Sequence, residues 1–535
     1  MNTLLRSVAA IPGTVRLRVA YAVVGCVLAS LGSMGGCAGQ SPLGGGVTVG
    51  GQEDIAAARQ AITDGEIPDP VSITPEGFLS EHSIPLTSPP GDGLLFTEAA
   101  VAWSRPFDAF SPLATVRIGL GSSVDPAAYS RPALNLCLLI DRSGSMADPI
   151  DERSGTTKLE AVRIAVDRIL ANLVAEDRVS IVTFNAGSQV LVEDAAGDDV
   201  TTIKNALATI VPEGDTNLAA GLQGGFAALD RHDAESRADR LLVFTDAELR
   251  LAQEERVQAF LRVMNQYAAL DFGTTLFGVG SAFGHEVAYE ISQVRGGNYF
   301  FLSDYDRIVD VFDNEFRFFV APIAYDAALS ISVPYSFDIA GVYGIPFEGN
   351  LANQVAFRIP SLFLSSREGG GAILLRVRAG ALVDFGQSNT VADVSLSYET
   401  RLGTMETAPT VRATLPERLD PQADAAYYQD DSTKRAVLLL DTALALHNAA
   451  EDAYQQCTYY SDYFGSYYGG YYSCGDANDP QRAALRLGEF LVYFDEMSAG
   501  LEDSASPTSR TLSQERTLVR QLLDNIEAEL RPSGN

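Results

Sequence analysis

The 535-residue chain contains few of the residues that carry most catalytic and metal chemistry, with only five cysteines and four histidines. Five cysteines are too few for a disulfide scaffold of this length, and their spacing does not match a zinc site. His285 is followed by Glu286, but the second histidine of a zinc-protease motif is missing, so this stretch predicts only the start of a helix. No Ser-His-Asp set can be assigned by spacing. The sequence therefore contains neither of these catalytic motifs.

Positively charged residues are scarce relative to acidic ones, because 38 lysines and arginines stand against 69 aspartates and glutamates and give a formal net charge of −31. Such a balance argues against nucleic acid and anionic membrane surfaces as partners, and it favours solubility. The hydrophobic share of 46% is that of a globular protein. The length allows roughly three to four domains.

Only one apolar run is long, and it lies near the N-terminus, where several arginines precede residues 19–31. This layout is typical of a secretory signal, and no later run approaches the length that crosses a bilayer. The segment around Cys37 resembles a bacterial lipobox. This resemblance implies that residues 1–37 are a signal peptide and that Cys37 carries a lipid, which anchors the protein to the cell envelope membrane without crossing it.

Two alternatives stay open at this end of the chain. Cys26 is a competing lipidation site, although apolar residues continue beyond it, and Met34 is an unusual residue three positions before a lipidated cysteine. The apolar run can also serve as an uncleaved membrane anchor. Ala38, rather than an aspartate, follows Cys37, and by resemblance to bacterial sorting this favours the outer membrane.

The flanking parts of the chain differ in pattern. Residues 38–86 are rich in glycine, serine and proline and predict a flexible tether, with a helical turn or two near residues 54–63. Residues 87–133 contain short β-like runs. Residues 323–415 contain strands separated by turns, which indicates a small antiparallel β-sandwich that the earlier strands can join. Residues 416–535 have the pattern of a C-terminal helical region.

Residues 134–322 alternate between strand and helix patterns. This alternation predicts a doubly wound α/β fold, in which a mostly parallel sheet carries helices on both faces. If the strands on either side join one sandwich, the α/β unit is an insertion between its two halves.

The α/β unit contains oxygen-bearing side chains at the ends of predicted strands. A buried apolar run stops at Asp141, and Ser143 and Ser145 follow at alternate positions. Thr216, in a loop between helices, and Asp246, at the end of a second buried strand, complete a set of five such side chains. The carboxyl ends of parallel strands are where open α/β sheets bind ligands. Oxygen ligands alone suit a hard cation such as Mg²⁺.

In order and spacing, this set resembles the metal-ion-dependent adhesion site of von Willebrand factor type A domains. The resemblance covers residues 134–320 and implies that Asp141 and the two serines contact a divalent ion directly. Thr216 and Asp246 would contact it directly or through water. The implied ion is Mg²⁺, with Mn²⁺ and Ca²⁺ as alternatives, and a glutamate or aspartate of a partner protein fills the open position. The resemblance thus implies a binding module rather than a catalyst.

Two residues depart from the pattern of the family. Asp215 stands where bacterial relatives commonly have a glycine before the threonine, and Ala247 stands where they have a glycine after the aspartate. Neither change removes a ligand. The loop 147–157 looks longer than usual and adds three carboxylates, which predict either a solvated acidic loop or a second cation contact.

The flanks resemble those of a narrower group, bacterial envelope lipoproteins that contain this domain. Residues 74–78, 103–106 and 117–120 carry the resemblance, together with the strand-rich part after Pro322. The implied function is metal-dependent adhesion to a protein ligand at the cell envelope. Two alternatives stay open: a structural envelope component, and a subunit of a chelatase-like metal-dependent assembly.

Cys457 and Cys474 enclose an insert with seven tyrosines among glycines. In an exported protein this pair is expected to form a disulfide, which would stabilise the fold by roughly 3 kcal/mol. The insert, residues 457–474, is then either a rigid aromatic recognition loop or a low-complexity loop closed against fraying. Cys137, within a core strand, is expected to be a buried small hydrophobe.

Overall fold

The computed structural model describes residues 45–49, 55–87, 93–151, 155–234, 236–247, 254–280, 290–345, 352–365, 371–454, 457–460, 471–474, 479–502 and 509–531. The predicted signal peptide with Cys37, the His285–Glu286 pair and the centre of the tyrosine-rich insert lie outside these ranges. Among the helices that the ranges contain, none is long and apolar enough to cross a membrane.

The strands and α-helices within these ranges are numbered in the order of the sequence. The strands are β1 (Gly45–Val49), β2 (Leu95–Ser104), β3 (Leu113–Ser122), β4 (Ala133–Asp141), β5 (Arg178–Phe184), β6 (Ser188–Ala196), β7 (Arg237–Thr245), β8 (Gly273–Val279), β9 (Gly297–Leu302), β10 (Ala324–Ser332), β11 (Phe337–Tyr343), β12 (Gln354–Leu364), β13 (Ala372–Ala379), β14 (Asn389–Thr400), β15 (Met405–Leu415), β16 (Tyr427–Tyr428), β17 (Cys457–Tyr460) and β18 (Tyr471–Cys474). The helices are α1 (Ala56–Thr63), α2 (Pro75–Ser80), α3 (Lys158–Ala171), α4 (Val200–Ala208), α5 (Leu218–Asp230), α6 (Glu254–Ala268), α7 (Tyr305–Val309), α8 (Phe316–Phe319), α9 (Asp431–Ala453), α10 (Pro480–Ser498) and α11 (Leu512–Leu530).

The strands β4 to β9 form one sheet in the order β6-β5-β4-β7-β8-β9. Every neighbouring pair is parallel except β5 and β6. The first strand, β4, lies in the middle of the sheet. Strands β5 and β6 follow on one side of it and β7 to β9 on the other, so the direction in which strands are added reverses at β4. Leu136 to Ile140 are buried because apolar clusters cover both faces of the sheet. The predicted doubly wound α/β fold is confirmed.

The antiparallel strand β6 is an addition that the apolar pattern did not indicate. It lies at the edge of the sheet, and of its residues only Val192 is buried. A strand at an edge with so little burial has no alternation of apolar and polar residues to mark it in the sequence.

The remaining long strands form an antiparallel unit of two layers. One layer has the order β11-β13-β3-β2 and the other β12-β10-β14-β15, and β1 joins them by pairing with both β3 and β12. Side chains from the two layers share one core, in which Val116 and Trp103 belong to the first layer and Leu329 and Leu396 to the second. Strands that precede and follow the α/β unit therefore pack together, with the α/β unit between them in the chain.

Residues 55–87 differ from the flexible tether that their composition predicts. Helices α1 and α2 pack with α9, α10 and α11 in a separate apolar cluster, where Ile62 and Phe78 are buried. The side chain of Arg59 contacts both Glu81, at 2.7 Å, and Glu515, at 3.0 Å. The glycine and proline content did not prevent residues 55–87 from forming packed helices, because a few apolar residues at helical spacing pack against helices that are distant in the sequence.

Candidate metal centre

Four of the five predicted ligands lie where β4 and β7 end. These strands are parallel neighbours, and Ile140 pairs with Phe244, so the residues that follow each strand emerge side by side. Asp141 closes β4 and Asp246 follows β7 directly. After Ser143 the chain turns into a short 3-10 helix, Gly144–Ala147, which contains the second serine.

Asp141 is fixed from two directions. Its Oδ1 accepts a hydrogen bond from the backbone N–H of Ser143 at 2.7 Å, and its Oδ2 accepts one from the hydroxyl of Thr245 at 2.5 Å. The side chain is fully buried. Burial raises the pKa of Asp141, although the hydrogen bonds from Thr245 and Ser143 act in the opposite direction. A cation beside this carboxylate would compensate the cost of burying its charge.

The two serines link Asp141 to Asp246. Ser143 Oγ lies 3.2 Å from Ser145 Oγ, and Ser145 Oγ donates a hydrogen bond to Asp246 Oδ1 at 2.9 Å. The other oxygen of Asp246, Oδ2, lies 2.7 Å from Nζ of Lys158. The side chains of four predicted ligands therefore lie together in one oxygen cluster, and the ammonium group of Lys158 lies at its edge.

Thr216 lies on a separate loop and lines the same cavity as Ser143 and Ser145. The backbone N–H of Gly144 donates to the carbonyl of Gly214 at 3.0 Å, and that of Glu213 donates to the carbonyl of Arg142 at 2.6 Å. Gly214 has a φ of +82°, which favours glycine. Arg142 also forms an ion pair with Glu213 at 2.5 Å. These contacts hold the Thr216 loop against the first loop.

A cavity of about 850 Å³ opens beside the oxygen cluster. Ser143, Ser145 and Thr216 lie on its wall. The rest of the wall comes largely from the beginnings of α5 and α6 and is mixed in character. Its apolar members include Leu218, Ala219, Ala247, Ala259 and Phe260, and its polar or charged members are Asp215, Asn217, Glu255 and Arg256. The site is therefore accessible to an external group on the side where Thr216 lies.

The donor set suits a hard divalent cation, because every candidate ligand atom is a carboxylate or hydroxyl oxygen. Within the part of the chain that the structure describes, no group of three or more His, Cys, Asp or Glu side chains is arranged to hold a metal. An ion at this cluster would therefore rely on two carboxylates, hydroxyls and water. Lys158 places one positive charge beside Asp246, on the carboxylate oxygen that does not contact Ser145.

The other predicted positions have simpler surroundings. The side chain of Asp148, in the acidic loop, is exposed, as is that of Asp215 beside Thr216. Cys137 is a free, fully buried cysteine, and burial raises the pKa of its thiol. The backbones of Cys457 and Cys474 are paired across β17 and β18.

The residues that were missed are those that position the ligands. Lys158 contacts Asp246, and the Arg142–Glu213 ion pair joins the two loops of the site. None of these three residues is a predicted ligand. One signal was available for Lys158: it opens the helix that follows the first loop, directly after the capping residue Thr157.

Residues 136–248 match the family model described as von Willebrand factor type A domain. The chain therefore contains a domain of this family, and the predicted resemblance is confirmed. The matched range ends two residues beyond Asp246, so it includes all five candidate ligands.

Two curated relatives are similar to longer parts of the chain. The Escherichia coli protein YfbK is 25% identical over 289 residues, which cover 52% of this chain and 47% of YfbK. The Synechocystis protein sll0103 is 26% identical over 152 residues, which cover 28% of this chain and 34% of that protein. The chain thus spans about half of the first relative and about a third of the second.

Among solved structures, the chain is similar to a von Willebrand factor type A protein from Catenulispora acidiphila. The sequence identity is 14% and the TM-score is 0.45, with 83% of this chain and 97% of that chain covered.

Proposed function

We propose that the protein binds a divalent cation at Asp141, Ser143, Ser145, Thr216 and Asp246, and that this ion binds a carboxylate of a protein ligand. Domains of this family generally mediate protein–protein interaction, often through a metal ion. The observation that carries the proposal is the unbroken series of contacts from Asp141 to Asp246. The backbone N–H of Ser143 donates to Asp141, and the hydroxyls of Ser143 and Ser145 continue the series to Asp246.

The chemistry of the donor set explains why the ion would bind an external group. Two carboxylates and neutral hydroxyls donate less negative charge than the carboxylate-rich cages of tight Ca²⁺ sites, so the ion stays strongly electrophilic. An aspartate or glutamate of the partner supplies the missing charge. Because the protein carries a formal charge of −31, the ion would also provide the local attraction that an acidic ligand needs.

The cavity beside the cluster has room for the residues that flank the carboxylate of the partner. Its wall presents Ala219 together with the charged side chains of Glu255 and Arg256, so a bound segment would contact polar as well as apolar groups while its carboxylate reaches the ion. The metal would then supply orientation and the cavity would supply selectivity.

We further propose that Cys37 anchors this binding module to the bacterial cell envelope, at the outer membrane. The support comes from the sequence, in which residues 1–37 have the layout of a lipoprotein signal. Lipid labelling of the wild type and of Cys37→Ser tests this location independently of metal binding.

Calorimetric titration with Mg²⁺, Mn²⁺ and Ca²⁺ tests the metal site. The wild type and Asp230→Asn, which removes an exposed carboxylate at the end of α5, should bind the ion, and Asp141→Asn should not. If Asp141→Asn binds like the wild type, or if no protein binds an ion, the proposed metal site is wrong.

Capture from envelope extract tests the adhesion part of the proposal. A protein retained by the wild type and by Asp230→Asn should be lost with a chelator and with Asp141→Asn. Metal binding without chelator-sensitive capture would favour a structural envelope component, and capture together with an ATPase subunit would favour a chelatase-like assembly.

A further inference from the structure

Lys158 lies beside the candidate metal centre without belonging to the ligand set. Its Nζ is 2.7 Å from Asp246 Oδ2, and the two side chains are only 13% and 2% exposed. The whole sequence contains three lysines, Lys158, Lys204 and Lys434, and relies on arginine for most of its ion pairs. A compact ammonium group therefore occupies a position that is nearly closed to solvent.

The surrounding structure holds this side chain in place. Lys158 is the first residue of α3, whose Thr157 forms a capping box with Glu160, and its backbone N–H donates to the carbonyl of Asp148 at 2.9 Å. Its Cε lies against the backbone of Gly280, where a Cβ would come within 3.2 Å. The ammonium group is thus directed at Asp246 by elements from three parts of the domain.

The two oxygens of Asp246 have different partners. Oδ1 accepts a hydrogen bond from the hydroxyl of Ser145 at 2.9 Å, whereas Oδ2 contacts Lys158. One carboxylate can therefore bind a metal ion beside Ser143 and Ser145 through Oδ1 and the ammonium group of Lys158 through Oδ2.

The formal charge of the site depends on this lysine. A divalent ion with Asp141 and Asp246 as its only carboxylates forms a neutral cluster, and Lys158 adds one positive charge to it. In a nearly buried place such a charge acts at close range with little screening. It would weaken the binding of the ion through repulsion and strengthen the binding of an external carboxylate through attraction.

We propose that Lys158 is a built-in cation that sets the charge balance of the metal centre. Without metal, it compensates the charge of Asp246 close to Asp141. With metal, it leaves the centre positive and so selects for an anionic ligand. This inference rests on the proposed metal site and assigns to Lys158 a positioning and electrostatic role that the ligand motif does not include.

Lys158→Met keeps the length and packing of the side chain and removes its charge. The matched control is Lys204→Met, because Lys204 pairs with Asp167 at 3.0 Å on the exposed surface of the same domain. Lys158→Arg keeps the charge and tests whether the charge itself is responsible. Each full-length protein is titrated with Mn²⁺, and acetate is then added to displace water from the bound ion, which is followed by water-proton relaxation.

Lys158→Met should bind Mn²⁺ about 10-fold more tightly than the wild type. Displacing water from its bound ion should require an acetate concentration about 10-fold higher than in the wild type. In chelator it should unfold at a lower temperature than the wild type, with the difference removed by Mn²⁺. Lys158→Arg should lie closer to the wild type in both titrations.

If Lys158→Met and Lys204→Met bind Mn²⁺ and acetate alike, the ion pair is only structural and the inference is wrong. Weaker Mn²⁺ binding by Lys158→Met would overturn it as well. A wild type that binds no Mn²⁺ at all would instead refute the proposed metal site.

Discussion

The hydroxyl of Thr245 donates a hydrogen bond to Oδ2 of Asp141 over 2.5 Å and so connects the ends of two neighbouring parallel strands. Both side chains are fully buried. Because the same hydroxyl also accepts from the backbone N–H of Ala247 at 3.1 Å, Thr245 fixes the turn that carries Asp246 as well. One residue thus orients both carboxylates of the candidate metal centre.

Replacing Thr245 with valine should weaken metal binding without removing a ligand. Valine keeps the shape but not the hydrogen bond, so Asp141 loses a fixed orientation, and we expect the affinity for Mg²⁺ to fall about 10- to 100-fold. Thr245→Ser keeps the hydroxyl and should bind nearly like the wild type. Calorimetric titration measures both variants, and equal affinities of the valine and serine variants would contradict this role.

Glu515 gives the helical region a specific dependence on pH. Burial raises the pKa of Glu515 from its ordinary value of 4.5 to about 7, although Arg59 acts to lower it. Glu81 and Arg510 also influence the group, and His82 lies 3.5 Å from it. The folded protein therefore holds this proton more tightly than the unfolded chain, and the resulting stability is lost as the pH rises from 4.5 to 7.

Glu515→Gln should remove this loss. Relative to the wild type, its free energy of unfolding should rise by about 1–3 kcal/mol between pH 5 and pH 8. Denaturant titrations at several pH values measure the difference, and Glu527→Gln, an exposed position on the same helix, serves as the control. A difference that does not change with pH would refute the assignment.

The sequence was sufficient to predict the α/β fold and the strands that carry Asp141 and Asp246. Each strand contains an uninterrupted apolar run, residues 136–140 in β4 and residues 241–244 in β7, and burial on both faces of the sheet explains such runs. Asp141 follows the first run directly, and Asp246 follows the second after Thr245. The order of the chemical groups along the chain was therefore enough to predict that four candidate ligands lie at one edge of the sheet.

The remaining features depend on contacts between distant residues. Lys158 meets Asp246 across 88 positions and Arg59 meets Glu515 across 456, and no local pattern marks either contact. The docking of α1 and α2 depends in the same way on apolar surfaces that the C-terminal helices provide. Composition alone therefore indicated a tether where the tertiary structure has two packed helices.

The pairing of β17 with β18 makes the predicted disulfide testable. The antiparallel register places Cys457 opposite Cys474. Under denaturing conditions without reductant, we expect alkylation of the exported protein to label Cys137 but neither of these two cysteines, as mass spectrometry of peptides will show. Cys457→Ser with Cys474→Ser should lower the free energy of unfolding by roughly 3 kcal/mol if the loop is closed. Labelling of all three cysteines before reduction would contradict the disulfide.

Arg295 forms a polar connection between the α/β unit and the antiparallel strands. It precedes β9, and its guanidinium reaches Asp326 on β10 at 2.6 Å and Glu399 on β14 at 3.1 Å. The guanidinium carbon also lies 3.9 Å from the centre of the Tyr325 ring. Because 24% of the side chain is exposed, solvent weakens these ion pairs but does not cancel them.

We expect Arg295→Ala to lower the free energy of unfolding by about 1–2 kcal/mol, since it leaves two partly buried carboxylates without this partner. Arg358→Ala is a matched control, because Arg358 pairs with the same Asp326 at 2.6 Å but is 77% exposed, and its loss should cost less than about 0.5 kcal/mol. Scanning calorimetry of both variants measures the difference. Equal transitions for the two variants would mean that Arg295 stabilises the contact between the α/β unit and the antiparallel strands no more than an exposed arginine does.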